Sequence, residues 1–286
     1  MDIPLYIMDA FTTLPFKGNP AAVCLIKAPL SEELYQKIAA EMNLPETAFV
    51  ICKDTSDDFV TASRFSLRWF TPTNEVSLCG HATLASSAVL FYHKSNINEM
   101  IVFETMSGEL CNHLRGDRIV MDFPIYSTAP QEPQEISELI KAVVGDLPLD
   151  DVQYSESSKT LILRLADKLE ISSLASLKPD PEEMLRCERT GRIRGVSVTI
   201  RGTPDVPPGY DFYSRFFTPW NGIAEDPVTG SAHSILAKYW SDRLEKQRLI
   251  AYQSSARGGE MELEVKDHRL MIAGRAVFIL EGMMSL

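Results

Sequence analysis

The chain lacks the residues that would announce several common chemistries. Its five cysteines, Cys24, Cys52, Cys79, Cys111 and Cys187, are odd in number and form no C-x-x-C pair, which speaks against a disulfide framework and a structural zinc site. No N-x-[ST] acceptor occurs, Asp2 stands where a secretory signal would carry Lys or Arg, and no apolar run is long enough to cross a bilayer. Positive charge is scarce: 28 Lys and Arg against 39 Asp and Glu leave a formal net charge of -11. Nucleic acids and anionic membranes both call for a basic footprint, so neither is expected as a partner. The motifs G-x-x-x-x-G-K-[ST], G-x-G-x-x-G, H-E-x-x-H and G-x-S-x-G are all missing. The five histidines do not cluster with acids at ligand spacing. The expectation is a reduced, soluble, cytoplasmic protein with no cofactor and no metal.

What is present is a repeat. RWFTPTN at 68–74 matches RFFTPWN at 215–221, and each precedes a helix opening, Gly80-His81-Ala82 in the first half and Gly230-Ser231-Ala232 in the second. Gly108-Glu109-Leu110 and Arg118-Ile119-Val120 echo Gly259-Glu260-Met261 and Arg269-Leu270-Met271. Three matches in one order and at nearly one offset make the chain two copies of one supersecondary unit. Stretches such as FVTASRFSLRWF and YDFYSRFF alternate as half-buried strands do. HATLASSAVLFY and SAHSILAKYW are apolar nearly all round, as buried helices are. GELCNHL, RIVMDFP, GEMELEV and RLMIAG would close a sheet round each helix, while SEELYQKIAAEM and PQEISELIKAVV read as more polar helices. The fold class expected is α/β (α+β): two pseudo-symmetric domains, each a mostly antiparallel sheet curled round a central helix. The first spans 1–128, with the last strand (274–286) crossing back to it, and the second 129–286. The Pro-rich segment 124–133 is the junction. Two such helices could aim their N-termini at one interdomain cleft, where ligand sites are favoured.

The candidate residues each have a structural and a chemical reading. Gly80 and Gly230 open the helices, where they relieve crowding or let an anion approach the backbone. Ser231 is a capping type. His81, in a first helical turn, meets a dipole that disfavours its charged form, and a neutral imidazole there can donate or accept a proton. Cys79 is either a thiol activated at a helix N-terminus or a small buried hydrophobe. Asp226 precedes proline in a bend, and Glu46 is an isolated acid at a strand start.

Together DAFTTLPFKGNPAAV, EMNLPETAF, FTPTNEVSLCGHATLAS and EDPVTGSAH resemble the phenazine-biosynthesis-like (PhzF) family, in family order and essentially end to end. The resemblance implies a diaminopimelate-epimerase-like fold and cofactor-free isomerisation by proton transfer. It implies Glu46 as the group that moves the proton, with His81, Asp226 and Ser231 in support. Asn19 falls in a loop that approaches substrate in related proteins, and a homodimer is implied as well. A substrate carboxylate would rest on the helix N-termini at Gly80 and Gly230, with Cys79 adjoining. The epimerases use a cysteine in each half-site, and here only the first half offers one, which favours a single glutamate over two thiols. The alternative is a metabolite- or protein-binding regulatory protein that keeps the fold with little turnover.

Overall fold

The structure is a computed structural model that describes residues 2–54, 56–203, 205 and 209–286. By contact density the chain falls into two units, Met1–Phe123 with Met271–Leu286, and Pro124–Leu270. Among the described residues no helix is long and apolar enough to cross a membrane.

The first unit carries β1 (Asp2–Ala10), β2 (Asn19–Ile26), α1 (Glu32–Met42), β3 (Glu46–Cys52), β4 (Arg64–Phe70) and β5 (Glu75–Val76). It continues through α2 (Gly80–Ala88), β6 (Met100–Thr105), β7 (Gly108–Arg115) and β8 (Arg118–Pro124). After a two-residue β9 (Ala129–Pro130) come α3 (Ser137–Val144), β10 (Leu149–Ser155), β11 (Thr160–Leu165), α4 (Ile171–Ala175) and α5 (Pro181–Cys187). β12 (Gly195–Arg201), β13 (Phe212–Thr218), β14 (Ile223–Asp226), α6 (Gly230–Leu244), β15 (Arg248–Gln253) and β16 (Gly259–Lys266) follow. β17 (Arg269–Gly274) and β18 (Ala276–Ser285) end the chain.

The two halves repeat one pairing scheme. β1 runs antiparallel to β2, β2 parallel to β3, β3 antiparallel to β4, and β4 antiparallel to β5 and parallel to β6. β10 to β15 reproduce every one of these relations, with β10, β11, β12, β13, β14 and β15 in the places of β1 to β6. The last strand, β18, pairs antiparallel with β1. All nine residues of α2 are buried, and the helix packs on β1, β2, β3 and β18. Its polar members satisfy themselves locally, since Thr83, Ser86 and Ser87 each donate to the carbonyl four residues back. In the second unit α6 follows the short β14 as α2 follows β5, and it packs against β15 and β16.

Local chemistry explains the elements. Ser31 caps α1 by accepting from the Leu34 N–H, Glu32 and Glu33 suit its positive end, and Asn43 closes it in the left-handed region. Tyr35, Ile38 and Ala39, at helical spacing, are the face it buries. The repeated arginine also has a reason. Arg68 grips Glu75 with two hydrogen bonds of 2.7 Å, and Arg215 grips Glu225 at 2.7 and 2.8 Å. Each bidentate pair ties the long strand to the short one that leads into the central helix.

Three details differ from the sequence reading. The strand expected over FVTASRFSLRWF begins only at Arg64. α2 gives way at Val89–His93 to a π-helical turn. The junction at 124–133, expected to form no element, contributes β9 to an antiparallel pair with β10.

Gly18 stands immediately before β2 at φ 65°, and a Cβ there would lie 2.1 Å from the Ala10 carbonyl oxygen. That oxygen belongs to the paired β1 backbone and cannot move aside cheaply. Gly18→Ala is expected to cost at least about 1–3 kcal/mol, the strain of a non-glycine residue held in such a conformation, which a lowered denaturation midpoint at unchanged slope would register.

Candidate active site

The start of β2 and the start of β3 are neighbours because these strands are parallel, with Ala21 opposite Glu46. Asn19 and Glu46, the first residues of the two strands, therefore lie at one end of the sheet, where α2 also begins. Cys79 precedes α2 and His81 sits in its first turn. All four side chains are buried. His81 Nε2 lies 3.0 Å from Glu46 Oε2. On the other side of the ring, Nδ1 faces the Asn19 amide nitrogen at 3.0 Å and Cys79 Sγ at 3.4 Å. Among the described residues neither Nε2 nor Oε2 makes a hydrogen bond, so the two face each other across this 3.0 Å ion-pair contact.

Burial alone would lower the His81 pKa. The neighbouring Cys79 and Glu46 outweigh it and hold the imidazole well above its ordinary value. Burial also pushes the Cys79 thiol up to about 11, with the Glu46 charge adding to the effect. Since the thiol is then protonated at neutral pH, Glu46 is the partner that raises His81. This corrects one expectation and decides between two readings. The helix dipole does not keep His81 neutral, because a full charge at 3.0 Å outweighs a partial one. The helix start does not activate Cys79, because burial and a neighbouring acid work the other way.

A second correction concerns metals. Glu46, Cys79 and His81 do cluster, with one potential ligand atom from each within 4.8 Å of the others, although nothing in their spacing along the chain suggests it. Yet Sγ addresses Nδ1 and the carboxylate addresses Nε2, on different edges of the ring. Cys79 and Glu46 thus meet the imidazole at different ring nitrogens.

The second unit gathers a different group. Asp226, the last residue of β14, is buried and accepts a 2.5 Å hydrogen bond from the Thr229 hydroxyl. Gln253, at the end of β15, donates to the Asp226 carbonyl at 2.7 Å and to the Thr229 hydroxyl at 3.1 Å, and accepts from the Thr229 N–H at 2.8 Å. Thr229 is the residue before α6, where a threonine ordinarily caps the helix; here its hydroxyl serves Asp226 instead. Gly230 opens α6, and Ser231, next in line, is half-buried. His233 binds the Thr229 carbonyl through Nδ1 at 2.7 Å, and burial pushes its pKa down to about 4. Thr229, Gln253 and His233 escaped the sequence reading. Two of them act through the backbone, which leaves no motif, and a threonine before a helix is an ordinary capping type that gives no sign of a carboxylate.

Register makes the halves chemically unequal. Thr47 faces Phe70 and Val196 faces the matching Phe217, so the counterpart of Glu46 is Gly195. A Cβ at Gly195 would lie 2.5 Å from Phe216 Cζ; an aromatic ring holds the space that a second glutamate would need. Trp69 faces Val76 where Phe216 faces Asp226, so Asp226 has an apolar counterpart. The two buried acids Glu46 and Asp226 thus stand at different places in the repeat.

The profile of the family described as phenazine biosynthesis-like protein matches residues 8–282. A phenazine biosynthesis-like domain-containing protein of Mus musculus is 50% identical over the full length of both chains. A protein of Pseudomonas aeruginosa named as an uncharacterized isomerase is 40% identical, again with 100% of each chain covered. Among solved structures, a PhzF family protein of Enterococcus faecalis superimposes with a TM-score of 0.85 at 37% identity, covering 100% of both chains. The fold is of the diaminopimelate-epimerase-like type, as the resemblance implied.

Proposed function

This chain belongs to the phenazine biosynthesis-like protein family, and from that membership and the Glu46–His81 pair we propose that it is an isomerase which moves a proton on a small carboxylate-bearing substrate. The observation that carries the reading is the buried Glu46 carboxylate set 3.0 Å from His81 Nε2. A carbon acid gives up its proton slowly, so a base must be close, shielded from water and able to return the proton to a different carbon. Glu46 supplies one oxygen to take the proton and later to give it back, with no net gain or loss by the enzyme. His81 steadies the carboxylate between the two transfers by keeping a cationic or hydrogen-bonding nitrogen against it. The isomerase name of the Pseudomonas relative supports the reaction class.

For Asp226 and Ser231 the role comes from the resemblance, which implies that they orient the substrate or relay a proton to a heteroatom. The Thr229–Gln253 clamp supports this for Asp226, since it fixes both the carboxylate and its own backbone. Gly80 and Gly230 open helices whose first N–H groups suit a carboxylate. Cys79 serves as a neutral thiol beside His81.

The test is deuterium incorporation. Purified protein would be incubated in D₂O with a pool of small carboxylate metabolites and new C–D bonds sought by mass spectrometry. Label that appears with the native protein and vanishes with Glu46→Gln supports the reading. Ligand binding that Glu46→Gln leaves intact, with no label from any metabolite bound, would replace it with a binding protein.

We also propose that the protein acts as a homodimer. Light scattering coupled to size exclusion should return twice the chain mass; a monomer throughout the micromolar range overturns this.

A further inference from the structure

We propose that Asn19 is a positioning residue that acts through His81, fixing the tautomer in which Nε2 carries the proton and points it at Glu46. An amide NH₂ can only donate, so the Asn19 nitrogen 3.0 Å from Nδ1 requires that ring atom to accept. The other neighbour of Nδ1 is Cys79 Sγ at 3.4 Å. Its thiol keeps its proton at neutral pH and can lend Nδ1 a weak donor, so it is compatible with an accepting Nδ1. A neutral imidazole has a single N–H, and with Nδ1 accepting it must reside on Nε2, 3.0 Å from Glu46 Oε2. The opposite tautomer would set Nδ1–H against the Asn19 amide hydrogens and a bare Nε2 lone pair against a carboxylate oxygen. It would be repelled at both ends.

The fold holds this choice in place. Asn19 is fully buried at the first position of β2, directly after the Gly18 turn, whose backbone leaves no room for a side chain. The contact is thus set by strand register and not by a mobile loop. A second proton on Nδ1 would face the Asn19 amide hydrogens unless the amide turns to present its oxygen, so the orientation of one amide accompanies the charge on the histidine. The role differs from that of a substrate ligand: Asn19 determines what Glu46 meets before any substrate arrives. Its catalytic consequence rests on the proton-transfer reading, whereas the tautomer itself does not.

The measurement is the pair of ring nitrogen resonances of His81 in protein labelled with ¹⁵N-histidine. They would be assigned by loss in His81→Gln and followed through a pH series to the alkaline side of the His81 titration. In the native protein the neutral ring should show a protonated Nε2 and an unprotonated Nδ1. Asn19→Asp places an acceptor beside Nδ1 and should reverse the assignment. Asn19→Leu, similar in shape and without polar atoms, should give intermediate, averaged shifts. A native ring protonated on Nδ1, or doubly protonated across the whole series, overturns the proposal, as does an Asn19→Asp spectrum that keeps Nε2–H. Because no substrate is present, these outcomes stand apart from the deuterium experiment. A correct tautomer without label would sink the isomerase reading alone, and label with the wrong tautomer would sink only the role of Asn19.

Discussion

Glu46→Gln should lower deuterium incorporation by at least about 10²–10⁴-fold, the usual worth of a positioned general acid–base group, while the protein stays folded and retains affinity for its substrate. The reason for so large a loss lies in the register of the repeat. Were the second half to hold an equivalent acid, it could take over part of the work. Its equivalent position is Gly195, where Phe216 fills the space a side chain would enter, so no replacement base stands at the matching site. Asp226 lies elsewhere in the repeat, opposite Phe216 rather than at the start of a parallel strand. The amide of glutamine keeps the size of Glu46 and its ability to contact His81 but cannot accept a proton from carbon. The loss should therefore appear in turnover, with binding little changed. A Glu46→Gln protein within a few-fold of native turnover would mean that another group moves the proton.

The duplication was legible in the sequence because its landmarks are structural. Arg68 and Arg215 recur since each must hold a glutamate on the adjoining short strand, and the small apolar helices recur since each must be buried in a sheet. The glutamates themselves were not legible: they stand 7 and 10 residues after their arginines, an inequality that no single spacing captures. The site was legible only through resemblance. Glu46, met alone, is one acid among 39 acidic residues, and only the parallel pairing of β2 with β3 brings it beside Asn19 and His81. Charge was the least legible property. From sequence His81 belongs to a helix start that disfavours protonation; in the fold a carboxylate stands against it and reverses the sign. The clamp of Gln253 on Thr229 shows the same limit in the second half, because a side chain that binds backbone across a sheet has no local signature.

His233 should make the protein labile to acid, and by a calculable amount. Its ring is fully buried and stacked on Phe212 with centroids 5.9 Å apart, Nδ1 is engaged with the Thr229 carbonyl, and Nε2 has no hydrogen-bond partner among the described residues. A charge there would be stranded, which is why the pKa falls to about 4 from an ordinary 6.5. The unfolded chain then takes up a proton that the folded chain refuses. For a depressed pKa, the stability is present above the unfolded value and is lost as pH falls through the folded one. Between pH 6.5 and about 4 the loss should reach about 3 kcal/mol, at 1.36 kcal/mol per unit. His81 does not blur this window. Its pKa is raised, so its contribution is complete below 6.5 and is lost only as pH climbs through the higher folded value. The comparison is with His233→Asn, whose amide can still donate to the Thr229 carbonyl but does not titrate. The variant is expected to be less stable overall, since it leaves part of a buried ring's space empty. The gap between native and variant should narrow by about 3 kcal/mol between neutral pH and pH 4 in urea denaturation. Carboxylates common to both proteins cancel from that difference. Parallel pH profiles would show that His233 is charged in the folded state, and that the second central helix tolerates at its start a cation which its burial and unpartnered Nε2 argue against.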